Sequence, residues 1–184
     1  MPSPTTFALI PVAALAASAA LLFTGFGGLD RWLAPQVVDP GPVPGLLGVL
    51  ARTPRLERTD RPGVHSEDQR ATLEALRAAP DGLARAEALL PTASGVFRAD
   101  LLVICASARA AAGNVAGATE ALTLAHALVP TELHLLVGLA ALQARAGDLA
   151  AFAGTVREWR QLGGVVPPEQ RADVERWLSA LGAG

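Results

Sequence analysis

Residues 101–118, LLVICASARAAAGNVAGA, are echoed at residues 135–152 as LLVGLAALQARAGDLAAF. Leu101 and Leu135, Leu102 and Leu136, Val103 and Val137, Ala110 and Ala144, Ala112 and Ala146, Gly113 and Gly147, and Asn114 and Asp148 match at one offset, about 34 residues. Each copy runs an apolar stretch into a glycine, which ends a helix, and then into an Asn or Asp, which caps the next one. A single unit of this kind cannot bury its own apolar face. Repetition therefore commits the region to stacked helix–turn–helix units.

The flanking text agrees. Ser66-Glu67-Asp68-Gln69 has the form of a capping box, with acids in the first turn where the helix dipole favours them. Leu73 and Leu76 give that helix an apolar edge, residues 79–82 (APDG) break it, and a short second helix carries Leu83, Ala86, Leu89 and Leu90 to Pro91. Ser94-Gly95 opens a third helix with Phe97, Leu101, Ile104, Cys105 and Ala108 on one face. The fourth carries Val115, Ala118, Leu122 and Ala125 and stops at Pro130; the fifth occupies residues 131–146. Asp148 caps the sixth, which places Leu149, Phe152, Val156 and Trp159 on one stripe. Pro167-Pro168 starts a last helix with Val174, Trp177, Leu178 and Leu181 inward and charges outward, the form needed to close a helical stack. Ala and Leu, both strong helix formers, supply most of the apolar content, and Tyr is absent.

The N-terminal part differs in kind. Residues 1–29 carry no charged side chain, and residues 7–26 (FALIPVAALAASAALLFTGF) are about 20 residues of apolar text, enough to cross ~30 Å of hydrocarbon. A cleaved signal peptide normally opens with basic residues, which are missing here, and a buried core helix would need more polar positions than Ser18 alone. The segment 1–29 is expected to be a single transmembrane anchor, with Trp32 in the interface. Residues 30–64 are expected to be a Pro/Arg-rich linker, in which residues 35–44 (PQVVDPGPVP) form a stiff, extended spacer. Within it, residues 46–51 (LLGVLA) are too short to span a membrane and are either an interfacial segment or a strip packed on the domain. Glu57 and Asp60, mixed among Arg52, Arg55, Arg58 and Arg61, favour a solvated linker over a polybasic lipid contact. The scarcity of basic residues beside the anchor leaves the soluble domain's side, periplasmic or cytoplasmic, open.

On these residues the chain resembles the tetratricopeptide repeat (TPR) family. The small residues that let the family's paired helices cross closely fall on Ala106, Ala118 and Ala125, the closing proline on Pro130, and the turn on Gly113-Asn114. The second copy keeps Ala140 and Gly147-Asp148. It departs at Phe152 and Trp159, where alanine is usual, and at Gly164, where proline is usual, which implies wider helix packing. The expected fold is all-α: an N-terminal transmembrane helix, a Pro-rich linker, then over residues 65–184 a TPR-like array of antiparallel helix pairs with a terminal capping helix. The resemblance also implies a concave, partner-binding groove lined by Asp100, Val103, Ser107, His134, Val137 and Ala141, with Ala110 and Ala144 beside them. So small and apolar a set suits an apolar helix or an extended segment rather than a charged carboxylate terminus. The alternative is that the two valines and the alanines are interhelical packing.

Chemistry finds little footing. His65, His126 and His134 lack the spacing of a helical metal site, and Cys105, the single cysteine, lies among Leu101, Leu102 and Ala108 as an inert packing thiol would. Ser107 has no nucleophile-elbow setting, and Gly25, Gly27 and Gly28 have neither the preceding strand nor the following Lys of a phosphate loop. With 15 basic residues, all Arg, against 17 acidic ones, no nucleic-acid surface is expected. The absence of Lys fits a GC-rich bacterial genome. The expectation is a protein with no catalytic, metal or cofactor site, held at the bacterial inner membrane by a single pass. Its partners would be membrane lipid, through the anchor, and other proteins, including membrane-protein subunits. It would act as a scaffold or assembly factor, or else as a permanent accessory subunit of a respiratory, photosynthetic or secretion complex.

Overall fold

The computed structural model describes residues 41–53 and 64–182. The expected anchor, 1–29, lies outside the described residues; among those described, no helix is long and apolar enough to cross a membrane. The described residues are all-α, with eight helices and no strand: α1 (Pro42–Leu50), α2 (Glu67–Ala78), α3 (Gly82–Leu89), α4 (Gly95–Ala111), α5 (Val115–Leu128), α6 (Leu133–Ala146), α7 (Leu149–Gln161) and α8 (Arg171–Gly182), the last entered through a 3-10 turn at Pro168–Gln170. The capping box at α2 is complete: Ser66 Oγ accepts from the Gln69 N–H, and Gln69 Oε1 accepts from the Ser66 N–H.

The sequence repeat is a structural repeat down to individual hydrogen bonds. After α4, Gly113 turns left-handed at φ 81°, the Asn114 N–H reaches back to the Arg109 carbonyl at 2.9 Å, and Asn114 Oδ1 accepts from the Gly117 N–H at 2.9 Å. After α6, Gly147 takes φ 75°, the Asp148 N–H reaches the Gln143 carbonyl at 3.0 Å, and Asp148 Oδ1 accepts from the Ala151 N–H at 3.0 Å. Both are Schellman closures followed at once by an Asx cap, so one short turn ends a helix and starts its antiparallel neighbour. A third such closure, at Gly163 (φ 94°) with the Gly164 N–H on the Trp159 carbonyl, ends α7.

Packing follows chain order, with each helix from α3 to α7 resting on the next. Ala106, Ala118, Ala125 and Ala140 are all buried, as close helix crossings require. α4 divides two apolar clusters. Leu101, Ile104 and Cys105 pack with Leu73, Leu76 and Ala86 of α2 and α3, while Ala99, Leu102, Ala106 and Ala110 join the larger cluster of α5 to α8. α8 contributes Val174, Trp177 and Leu178 to that cluster, and its Glu175 pairs with Arg160 of α7. The bonded Arg160 guanidinium holds the Glu175 carboxyl below the usual carboxylate range.

The segment 30–64, expected as a linker, is corrected over part of its length. Residues 42–50 form helix α1, and Leu46, Leu47, Val49 and Leu50 lie in the main core. The prolines taken to forbid a helix there sit in its first turn, where the backbone N–H has no helical partner to lose. α1 packs chiefly on α8 and α6, the far end of the chain. Gly45 is pressed against Trp177 so closely that a Cβ would overlap the indole ring. Just past the helix, Thr53 Oγ1 accepts a 3.0 Å hydrogen bond from Trp159 Nε1. The two bulky aromatics at repeat positions where alanine is usual, Phe152 and Trp159, are wholly buried, and Trp159 reaches out to this added helix.

Candidate protein-binding face

Helices α4, α6 and α8 alternate in the chain with α5 and α7. The expected groove residues lie on α4 and α6. Asp100, Val103 and Ser107 follow one stripe of α4, and His134, Val137 and Ala141 follow the equivalent stripe of α6.

The structure treats the six differently. Ser107 is exposed, whereas Ala141, at the equivalent repeat position, is buried. Ala141 belongs to the main core cluster, to which α1 also contributes, whereas Ser107 on α4 is open to solvent. Val103 and Val137 are half-buried and packed against the main core. The packing reading therefore describes part of their surface, and the remainder faces outward.

Asp100, expected to line the groove, is not open to solvent. It is buried, and its Oδ2 lies 2.6 Å from His65 Nε2, with the imidazole almost wholly enclosed. A carboxylate can only accept, so Nε2–H is the donor. The Phe97 ring meets the imidazole edge-on, with centroids 6.2 Å apart. This pair joins the residue just before the α2 cap to the first half of α4. His134, also expected to line the groove, has Nδ1 3.3 Å from Oε2 of Glu132, the residue that precedes α6. Asp100 and His134 are thus occupied with neighbours inside the fold.

Three further polar links fix the order of the stack. Arg109 donates to the Gly117 carbonyl at 3.0 Å and to Glu87 at 2.8 Å, which ties α3, α4 and α5 together. Arg145 of α6 reaches the Ala110 carbonyl of α4, and His126 of α5 contacts Glu158 of α7 at 2.9 Å. The last makes His126 a bridge between repeats. Cys105 is fully buried, and that burial pushes its thiol up; Glu87 adds to the shift and Arg109 opposes it.

Sequence reasoning missed His65, Thr53 and the helical form of residues 42–50; of its two readings of residues 46–51, a strip packed on the domain is the one the structure shows. His65 carries no local signal, because its partner lies 35 residues away on another helix. Gly45 beside the leucine-rich run is a further hint of close packing, since glycine inside a helix is costly unless something approaches it. Among the described residues no group of His, Cys, Asp and Glu is disposed to hold a metal ion. Comparison with protein-family models, curated proteins and solved structures finds no match.

Proposed function

We propose that the chain is a membrane-anchored, TPR-like scaffold or assembly factor that holds another protein at the bacterial inner membrane, by binding and without catalysis. The observation that carries this reading is the exact recurrence of the Schellman-plus-Asx turn at Gly113-Asn114 and Gly147-Asp148, which sets α4 and α6 as equivalent helices on one face. At its α4 end that face leaves Ser107 exposed and Val103 half-exposed. A shallow face of small and apolar side chains suits a partner helix or an extended apolar segment. The apolar run at residues 7–26 supplies the membrane attachment in this reading.

Purification of the full chain in a gentle detergent tests the role. Substoichiometric partners that change with growth conditions fit an assembly factor. A fixed, stoichiometric set of membrane subunits assigns the chain instead as a permanent accessory subunit, and recovery of the chain alone removes both roles.

A further inference from the structure

Large apolar side chains left exposed one by one are ordinary, but here they gather. Of the five among the described residues, Leu124 and Leu128 lie one turn apart on α5, Leu162 follows the last residue of α7, and Val165 stands in the loop beyond; the fifth, Leu149, starts α7. His126 of α5 meets Glu158 of α7, so the C-terminal ends of these two helices lie side by side. Residues 127–131 (ALVPT) and 161–168 (QLGGVVPP) therefore run over the same end of the stack, and neither stretch holds a charged side chain. The nearest ionisable groups have partners: Glu132 contacts His134, Glu158 contacts His126, and Arg160 pairs with Glu175. Exposed Glu169 marks where the polar surface resumes. On α5 the Thr119 and Thr123 hydroxyls each donate at 2.9 Å to a carbonyl one turn back, which leaves them little need of water.

We propose that this end of the stack is a lipid contact, with Leu128, Leu162 and Val165 entering the boundary between headgroups and acyl chains. The chain ahead of the domain argues for that occupant. In the scaffold reading, on which the proposal rests, residues 7–26 are in the membrane; the stretch from Phe26 to Gly41 then reaches roughly 50 Å at most, not much more than the width of a domain this size. The domain is thereby held against the surface, and its uncharged end enters that boundary without desolvating a charge. With no Arg at the tips, the contact comes from apolar insertion rather than attraction to anionic lipid, so it should survive salt. A second copy of the chain is the poorer occupant, because these few side chains offer far less than the ~800 Å² per partner of a stable interface. Standing on this end, the stack holds the α4–α6 stripe to the side, open to a partner.

Val165→Cys gives the test, because the position is 75% exposed and outside any helix, while the buried Cys105 stays unlabelled. The full chain is labelled there with a fluorophore, reconstituted into phosphatidylcholine vesicles, and read for quenching by a shallow nitroxide-bearing lipid and by aqueous iodide. Leu162→Cys is labelled in the same way, and Ala116→Cys, exposed in the first turn of α5 at the opposite end of that helix, is the reference. The labels on Val165→Cys and Leu162→Cys are expected to be quenched by the lipid roughly threefold more than the reference, and to stay so at high salt. Equal lipid quenching at all three positions would overturn the proposal. Shielding from iodide relative to the reference, without lipid quenching, would overturn it too and assign this end to a second copy of the chain. A chain that does not float with the vesicles removes the anchor and this contact together, whereas a floating chain with unquenched labels removes the contact alone.

Discussion

His65 Nε2 and Asp100 Oδ2 lie 2.6 Å apart with both side chains almost wholly enclosed, and they lock the approach to α2 onto α4. Truncating either partner removes this buried hydrogen bond from the other, at about 1–3 kcal/mol. Asp100→Ala and His65→Ala should each lower the unfolding free energy obtained from urea titration by that order. The double variant should lose clearly less than the two single losses combined, because the pair is counted once. Strictly additive losses would show that the two side chains act independently.

The two Asx caps are structural equivalents, so they should have equivalent energetic effects. Asn114→Ala and Asp148→Ala each remove the acceptor for one helix N-terminal N–H, of Gly117 and Ala151 respectively. Each is expected to cost about 0.5–2 kcal/mol. Thermal melts of the two single variants should show similar displacements. A large effect at one site and none at the other would mean that the sequence repeat is not an energetic one.

The repeated hairpins were legible in the sequence because everything that specifies them is local. The Gly113-Asn114 and Gly147-Asp148 turns, the Ser66–Gln69 box and the Val174/Trp177/Leu178 face each fall within a few residues, where periodicity and capping rules apply. What was not legible is non-local. Helix α1 has too short a pattern to announce itself, and its prolines pointed to an extended spacer until their place in the first turn was known. The family resemblance implies that Asp100 lines a groove, but His65, 35 residues earlier, engages its carboxylate. Ala141 is buried and Ser107 exposed although they hold equivalent repeat positions, a difference that the repeat alone does not encode.

The folded domain includes α1. A fragment starting at Gly41 retains the helix that covers Trp177 and meets Trp159, whereas one starting at Val64 does not. Both should be helical by circular dichroism, with the longer one melting higher and emitting at shorter wavelength. Identical tryptophan emission from the two would show that α1 does not shield those rings.

Cys105 should be chemically silent in the native state. Its thiol is buried and shifted up, chiefly by loss of hydration, so little thiolate forms near neutral pH. Because the folded value exceeds the unfolded one, the thiol's contribution to stability is fully present below the unfolded value and is lost as pH rises toward the folded one. A disulfide-exchange reagent at pH 8 should label the native protein many times more slowly than the urea-unfolded chain. Comparable rates would contradict the packing assigned to α4.

Partner binding to the α4–α6 face is tested most directly at Ser107, the exposed groove position. Ser107→Arg places a large charge on the uncovered end of the face without touching the core, so its melt should stay within about 0.5 kcal/mol of wild type in stability terms. Against an apolar partner segment the same guanidinium would have to be desolvated without a counter-charge, which is costly. Wild-type and Ser107→Arg chains are purified in parallel in gentle detergent, and the protein that co-purifies with wild type is quantified on each. The account predicts an unchanged melt with the partner reduced at least tenfold. Full retention of the partner on a folded Ser107→Arg chain would contradict it.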